Sequence, residues 1–216
     1  MASVCGETSP APTRIPMSKT PDLKPRKSPT QARAAETVRI ILEAAARILE
    51  TRGLEGFNTN AVAERAGVSV GSLYQYFPGK DALTAALIER DGEMLRTDVA
   101  AAAVLPDPRD ALSGMIAAAV AHQMRRPALA RLLDAQETRL PLGPAQHDRV
   151  TELQALLAQV LARTPLPAGL APETAQADIF AMVRAMTDSA GERGETNAPD
   201  LQKRIGRAVL GYLGLA

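Results

Sequence analysis

Residues 57–80, FNTNAVAERAGVSVGSLYQYFPGK, constrain the fold more tightly than any other stretch, because two short apolar stripes at helical spacing are separated only by a glycine-centred turn. Thr59 stands where an N-cap belongs, its hydroxyl able to accept from a free backbone N–H, and Val62, Ala63 and Ala66 supply the inward stripe of a two-turn helix. Gly67 can take the positive φ of a helix C′ position, and Ser69 can cap the next helix. That second helix is predicted from about Val70 to Phe77, with Leu73 and Phe77 facing inward. Val70, Gly71, Ser72, Tyr74, Gln75 and Tyr76 are left on its exposed side and N-terminal end. Polar groups gathered on one side of such a pair read as a DNA-binding helix-turn-helix over residues 58–77.

Residues 35–52 place Val38, Ile41, Leu42, Ala45, Ile48 and Leu49 at 3-4 spacing, so a first helix can cover the pair, with Gly53 ending it. Pro78, Gly79 and Lys80 restart the chain as a fourth helix. Its free N–H groups, dipole and the Lys80 ammonium form an anion site suited to a DNA phosphate.

The run TNAVAERAGVSVGSLYQYFPGKDAL resembles the DNA-binding domain of the tetracycline-repressor (TetR) family of transcriptional regulators, the likeness covering roughly residues 35–95. The first-helix pattern, the turn, the L-Y-x-Y-F helix and the following lysine occur in order at uninterrupted spacing. Carried over by position, the resemblance puts DNA contacts at Thr59, Asn60, Val70, Gly71, Ser72, Tyr74, Gln75, Tyr76 and Lys80. Asn60 and Val70 are shorter or less polar than the side chains that such positions can carry.

Charge is distributed in keeping with that reading. Residues 24–80 hold nine Lys or Arg against five Glu, residues 1–23 balance, and the overall +1 therefore leaves −3 for residues 81–216. The basic end is the end with the motif, as counterion release from double-stranded DNA requires. Residues 1–30 contain six prolines and little to bury, and are expected to be a disordered basic tail. Within or just after it, Arg26, Lys27 and Arg33 form either a minor-groove arm or part of a solubilising tail. Met1 and Met17 both remain as starts.

Of three Phe and three Tyr, Phe57, Tyr74, Tyr76 and Phe77 lie in the motif, so the remainder must build its core from Leu, Ala, Val, Ile and Met, as helical bundles do. Beyond Lys80, apolar helical stretches near 80–103, 109–125, 127–139, 144–163, 173–190 and 199–214 are separated by proline-marked breaks. The fold class expected is all-α, about nine helices, with a helix-turn-helix domain over 31–80 and a helical ligand-binding and dimerisation domain over 81–216. The number and order of helices again resemble the TetR family. Cys5, the only cysteine, cannot make an intrachain disulfide, and no membrane span or signal peptide is evident, so the cytoplasm is the expected location.

Ile179, Val183 and Met186 on the eighth helix, with Leu201, Ile205, Val209 and Tyr212 on the ninth, form apolar faces that suit either core or a four-helix homodimer interface, and the resemblance implies the dimer. For a small-molecule effector pocket, Met94, Met115 and Met124 offer adaptable lining, and His122, Asp134 and Glu137 are the candidate polar contacts, with Gln123, Gln136 and Arg139 beside them. His122 and His147 lie in different predicted helices without metal-ligand spacing, and no phosphate loop, nucleophile elbow or CxxC occurs. Neither catalysis, metal nor cofactor is expected. The sequence therefore reads as a homodimeric DNA-binding regulator, a repressor of a palindromic operator released by a small molecule, with a ligand-independent regulator or activator as the alternative.

Overall fold

The computed structural model describes residues 32–141 and 144–215, and the side chains of all of these except 144–147. The proline-rich tail, with Arg26 and Lys27, and the imidazole of His147 lie outside what is described. Among the described residues the chain forms nine helices and no strand: α1 Ala32–Gly56, α2 Thr59–Ala66, α3 Val70–Tyr76, α4 Lys80–Ala103, α5 Pro108–Arg125, α6 Pro127–Glu137, α7 Pro144–Leu161, α8 Pro172–Glu192 and α9 Ala198–Tyr212. None of these is long and apolar enough to cross a membrane.

Each boundary has a local cause. Gly53 breaks α1 at φ 61, ψ −168, leaving a short final turn to Gly56. Prolines open α5, α6, α8 and α9 within their first two positions, where a missing N–H costs nothing. Asp107 caps α5 by accepting from the N–H groups of Arg109 and Asp110, and Asn197 caps α9 by accepting from that of Asp200. At the far end of α4, the Arg163 guanidinium donates to the carbonyl oxygens of Ala103, Leu105 and Pro106 at 2.5–2.8 Å, satisfying the last helical carbonyl and two of the turn that follows.

Two apolar cores organise the molecule. In the first, Ile41, Leu42, Ile48 and Leu49 of α1 meet Phe57, Val62, Leu73, Phe77, Leu83 and Leu87, and α6 adds Leu129 and Leu133. In the second, Leu112, Ile116 and Val120 of α5 pack with Leu157, Val160 and Leu161 of α7, Ile179 of α8 and Leu201, Ile205 and Val209 of α9. Helix α4 contributes to both, Leu83 and Leu87 to the first and Ala103 to the second, so one rigid rod connects them.

The second core uses residues expected at a dimer interface. Ile179, Leu201, Ile205 and Val209 are each no more than 2% exposed within a single subunit. Met186 packs against the same cluster, and the Tyr212 hydroxyl donates to Asp178 Oδ2 at 2.5 Å. An amphipathic helix buries its most apolar stripe first, and here α5 and α7 of the same chain supply the cover. These seven positions, Val183 among them, face inward; Ala177, Ala181 and Ala185 of α8 and Gln202, Lys203, Arg207 and Gly211 of α9 face outward.

Candidate nucleic-acid interface and effector cavity

The α2–α3 pair is held by short, specific contacts. Asn58 is the N-cap of α2: it is extended at φ −147, ψ 162, and its Oδ1 accepts from Ala61 N–H at 2.9 Å. The expectation that Thr59 caps this helix is corrected, because Thr59 is its first helical residue. Its hydroxyl is instead placed 3.2 Å from the Tyr74 hydroxyl of α3, tying the two helices together across the turn. Gly67 lies at φ 66, ψ 29, and Val68 N–H returns to the Ala63 carbonyl at 3.1 Å, so the left-handed turn that sets the α2–α3 angle is closed by glycine. Ser69 Oγ accepts from Ser72 N–H at 3.0 Å and lies 2.8 Å from Ser72 Oγ, which caps α3 and orients the Ser72 side chain.

Leu73 and Phe77 are fully buried, and this fixes which side of α3 faces out. Val70 and Tyr74 are each 38% exposed, Gly71 and Gln75 are exposed, and Ser72 is half-buried. A side chain at Gly71 would meet nothing inside the subunit closer than Ser69 Oγ at 3.9 Å, so internal packing does not require glycine there. Tyr76 is half-buried and leans on the first core. Asn60 is exposed on α2, and Arg33 is exposed in the first turn of α1. Helix α4 begins without a side-chain cap, and Lys80 is exposed at that end. Its N-terminal N–H groups and the Lys80 ammonium are therefore open to an anion at that end.

Behind this unit, α4, α5, α6, α7 and α8 enclose a cavity of about 260 Å³. Its apolar wall comes from Leu95, Val99, Leu112, Met115, Ile116 and Leu153, joined by Phe180 and Val183; its polar end comes from His122, Gln123, Asp134, Glu137, Thr187 and Asp188. Of the candidates named from sequence, Met115, His122, Gln123, Asp134 and Glu137 line it, and Gln136 and Arg139 are not among its lining residues. Met94 and Met124 do not: Met94 is 37% exposed, with its sulfur accepting from Arg125, and Met124 packs into the second core. Thr187 and Asp188 were not anticipated. They extend the inward stripe of α8 one turn past Val183, where polar residues replace apolar ones at unchanged 3-4 spacing.

His122 Nε2 lies 3.1 Å from Asp91 Oδ2, and its Nδ1 is buried without a partner. Burial pushes the Asp134 carboxyl up to about 6, and the nearby Asp188 carboxylate adds to the rise. Asp188 is itself raised by burial, with Arg184 partly offsetting it. Gln123, 5% exposed, stands close enough to Asp134 to hold back part of its rise, yet its Nε2 has no partner at hydrogen-bond geometry. Gly191 makes room for that amide, since a Cβ there would sit 2.3 Å from Gln123 Nε2.

One charged joint spans the two halves. At the α5–α6 corner, Arg126 donates from Nε and Nη2 to both Glu50 carboxylate oxygens at 2.5 and 2.6 Å, and from Nη1 to Glu43 at 3.0 Å. Both acids belong to α1. The hydrogen bond from Arg126 holds Glu50 below the usual carboxylate range. Arg126 is thus bonded to the helix-turn-helix unit and lies one turn beyond His122 and Gln123 of the cavity.

Two family models match the chain: bacterial regulatory proteins of the tetR family over residues 41–87, and the tetracyclin repressor-like C-terminal domain over residues 107–213. The transcriptional repressor KstR of Mycolicibacterium smegmatis is 45% identical over 65 residues, which are 29% of this chain and 32% of that relative. The repressor DrrR1 of Streptomyces coeruleorubidus is 32% identical over 119 residues, 54% of this chain and 42% of the relative. The chain therefore spans 32% and 42% of the lengths of these two relatives. The fatty acid degradation regulator FadR of Bacillus halodurans shares the fold with a TM-score of 0.68 at 17% identity, covering 82% of this chain and 96% of that one. These relatives are regulators of transcription, not enzymes.

Proposed function

Because the chain belongs to the TetR family of bacterial transcriptional regulators, we propose that it is a repressor that binds a palindromic operator as a homodimer and is released by a small molecule. The observation that carries the DNA reading is the α3 face. It is exposed, fixed at the turn and through the Thr59–Tyr74 contact, and open at Gly71, where a groove wall can come close to the helix. Ser72, Tyr74 and Gln75 are the proposed base or thymine-methyl contacts, with Asn60, Val70 and Gly71 against the groove wall. Thr59, Tyr76 and Lys80 are proposed to clamp phosphates, the last with the α4 N-terminus behind it. Arg33, with Arg26 and Lys27 ahead of it, is proposed to reach the minor groove.

Reading a palindrome calls for two-fold symmetry, and the outward faces of α8 and α9 support a dimer there. Ala177, Ala181 and Ala185 recur every four residues on α8, and a Cβ at Gly206 or Gly211 of α9 would meet nothing inside the subunit. A second copy could therefore bring its backbone close. The cavity supports effector release, because α4 and α6 line it and both also pack in the first core. An effector that fits better when these helices spread would tilt the two recognition helices away from the ~34–36 Å spacing that successive major grooves demand.

Selection of binding sites from random duplexes tests the reading. A two-fold symmetric consensus bound by a dimer is expected. Binding that shows no sequence preference above the salt-dependent background would overturn it.

A further inference from the structure

The polar end of the cavity has an unbalanced chemistry. Asp134 and Asp188 line it, and Asp91 stands behind His122. Two guanidiniums also line the cavity, but each is engaged: Arg149 donates to the Glu89 carbonyl oxygen at 3.0 Å, and Arg184 lies 3.6 Å from Asp188 with its side chain 57% exposed. Acceptors and negative charge therefore predominate at this end of a partly open cavity.

The histidine points the same way. In the tautomer that donates Nε2–H to Asp91, Nδ1 carries a bare lone pair, and this buried atom has no protein partner. Gln123, buried in the same wall, offers an amide nitrogen that no protein group takes. An occupant that satisfies the site must bring N–H donors and positive charge to the Asp134 end, an apolar body to the opposite wall, and at most one acceptor for Gln123.

Resting on the effector reading above, we propose that the cavity takes a hydrophobic amine, its protonated nitrogen between Asp134, Asp188 and His122 Nδ1 and its apolar body among Leu95, Val99, Leu112, Met115 and Phe180. The raised Asp134 carboxyl agrees with this, because a cation placed there offsets the burial that chiefly raises it and the repulsion from Asp188 that adds to the rise. A carboxylate ligand would add a further negative charge to the same end and would have to compete for guanidiniums that the Glu89 carbonyl and Asp188 already engage.

Three probes with one apolar body separate the possibilities: 4-phenylbutylamine, 4-phenylbutan-1-ol and 4-phenylbutanoate, titrated calorimetrically into the full chain at pH 7.5. The amine should bind at least ~10-fold more tightly than the alcohol, and the carboxylate more weakly than either, as a charge-assisted contact requires. In Asp134→Asn and Asp188→Asn, which keep side-chain shape, the amine preference should shrink while alcohol affinity stays unchanged. Comparing the probes on the unaltered protein needs no variant to fold. Equal affinity of amine and alcohol, or tighter carboxylate binding, overturns the amine proposal and leaves effector sensing standing. Failure of all three to bind removes both.

Discussion

Replacing Arg126 with methionine keeps most of the apolar stem and removes the three hydrogen bonds that tie α1 to the α5–α6 corner. Two of these end on Glu50, whose side chain is 17% exposed, and one on Glu43, which is 40% exposed and retains Arg47. Charge-assisted bonds in a half-screened site contribute about 1 kcal/mol each, and the more exposed one less, so Arg126→Met should cost ~2–3 kcal/mol. For a chain of this size that corresponds to a fall in Tm of roughly 5–10 °C. The loss has a defined pH dependence. Glu50 is held below its ordinary 4.5 by Arg126, so the joint's contribution is present above that value and fades as pH falls through the lower folded-state value. Wild type and variant should therefore differ fully at pH 7 and converge only below about pH 4.5. A cycle with Glu50→Gln isolates the pair, because the doubly substituted protein leaves no unpaired carboxylate and should recover ~1–2 kcal/mol against additivity. Melts of Arg126→Met that coincide with wild type at pH 7, or costs that simply add, would refute the assignment.

Five further substitutions have defined outcomes. Lys80→Ala should weaken binding to every duplex and reduce the slope of log K against log salt by ~1, whereas Gln75→Ala should relax preference at particular bases by ~1–3 kcal/mol; an unchanged selected consensus for Gln75→Ala would contradict its role. Ala181→Arg should separate the proposed dimer in sedimentation while the melting curve of the subunit stays cooperative; a variant that remains dimeric moves the interface elsewhere. Ile205→Asp should instead unfold the subunit, since that side chain is wholly buried among α5, α8 and α9. Asp134→Asn should raise Tm at pH 8 and leave it unchanged near pH 4. A carboxyl raised to about 6 in the fold contributes stability at pH below its ordinary 3.8, and that contribution is lost as pH rises through 6.

What the sequence revealed was whatever local periodicity and capping encode. Gly67, Ser69, Leu73 and Phe77 could be assigned because each acts within four residues of its partner, and the proline-marked breaks located the later helices for the same reason. Thr59 was misassigned as a cap because Asn58 and Thr59 are adjacent cap formers, and only the extended φ, ψ of Asn58 decides between them. The faces of α8 and α9 left core and interface both open for a different reason. A stripe such as Ile179 with Val183, or Ile205 with Val209, states that something covers it, not whether the cover belongs to the same chain. The pocket methionines failed likewise, since nothing in the spacing of Met94 or Met124 tells a cavity wall from a solvent edge. Arg126 with Glu50 was invisible, because the pair is 76 residues apart and each residue alone looks like an ordinary surface charge.

That joint adds a second path between the cavity and α3. The helix-turn-helix unit is attached to the rest of the chain at two places, directly through the continuous α4 rod and laterally through α6, with Leu129 and Leu133 in the first core and Arg126 on Glu50. A single attachment transmits a tilt in any direction, whereas two attachments leave the unit one easy rotation, about the line that joins them. Gly92, Leu95 and Val99 of α4 and Asp134 of α6 line the same cavity, so an occupant that pushes these helices apart acts on both attachments at once. Its effect on DNA cannot exceed its differential affinity for the two arrangements, and operator DNA must weaken its binding by the same factor. If α6 carries part of this coupling, Arg126→Met brings the ratio of effector affinities without and with operator closer to one, while effector binding to the free protein is little changed. A ratio that stays at the wild-type value would assign the coupling to α4 alone.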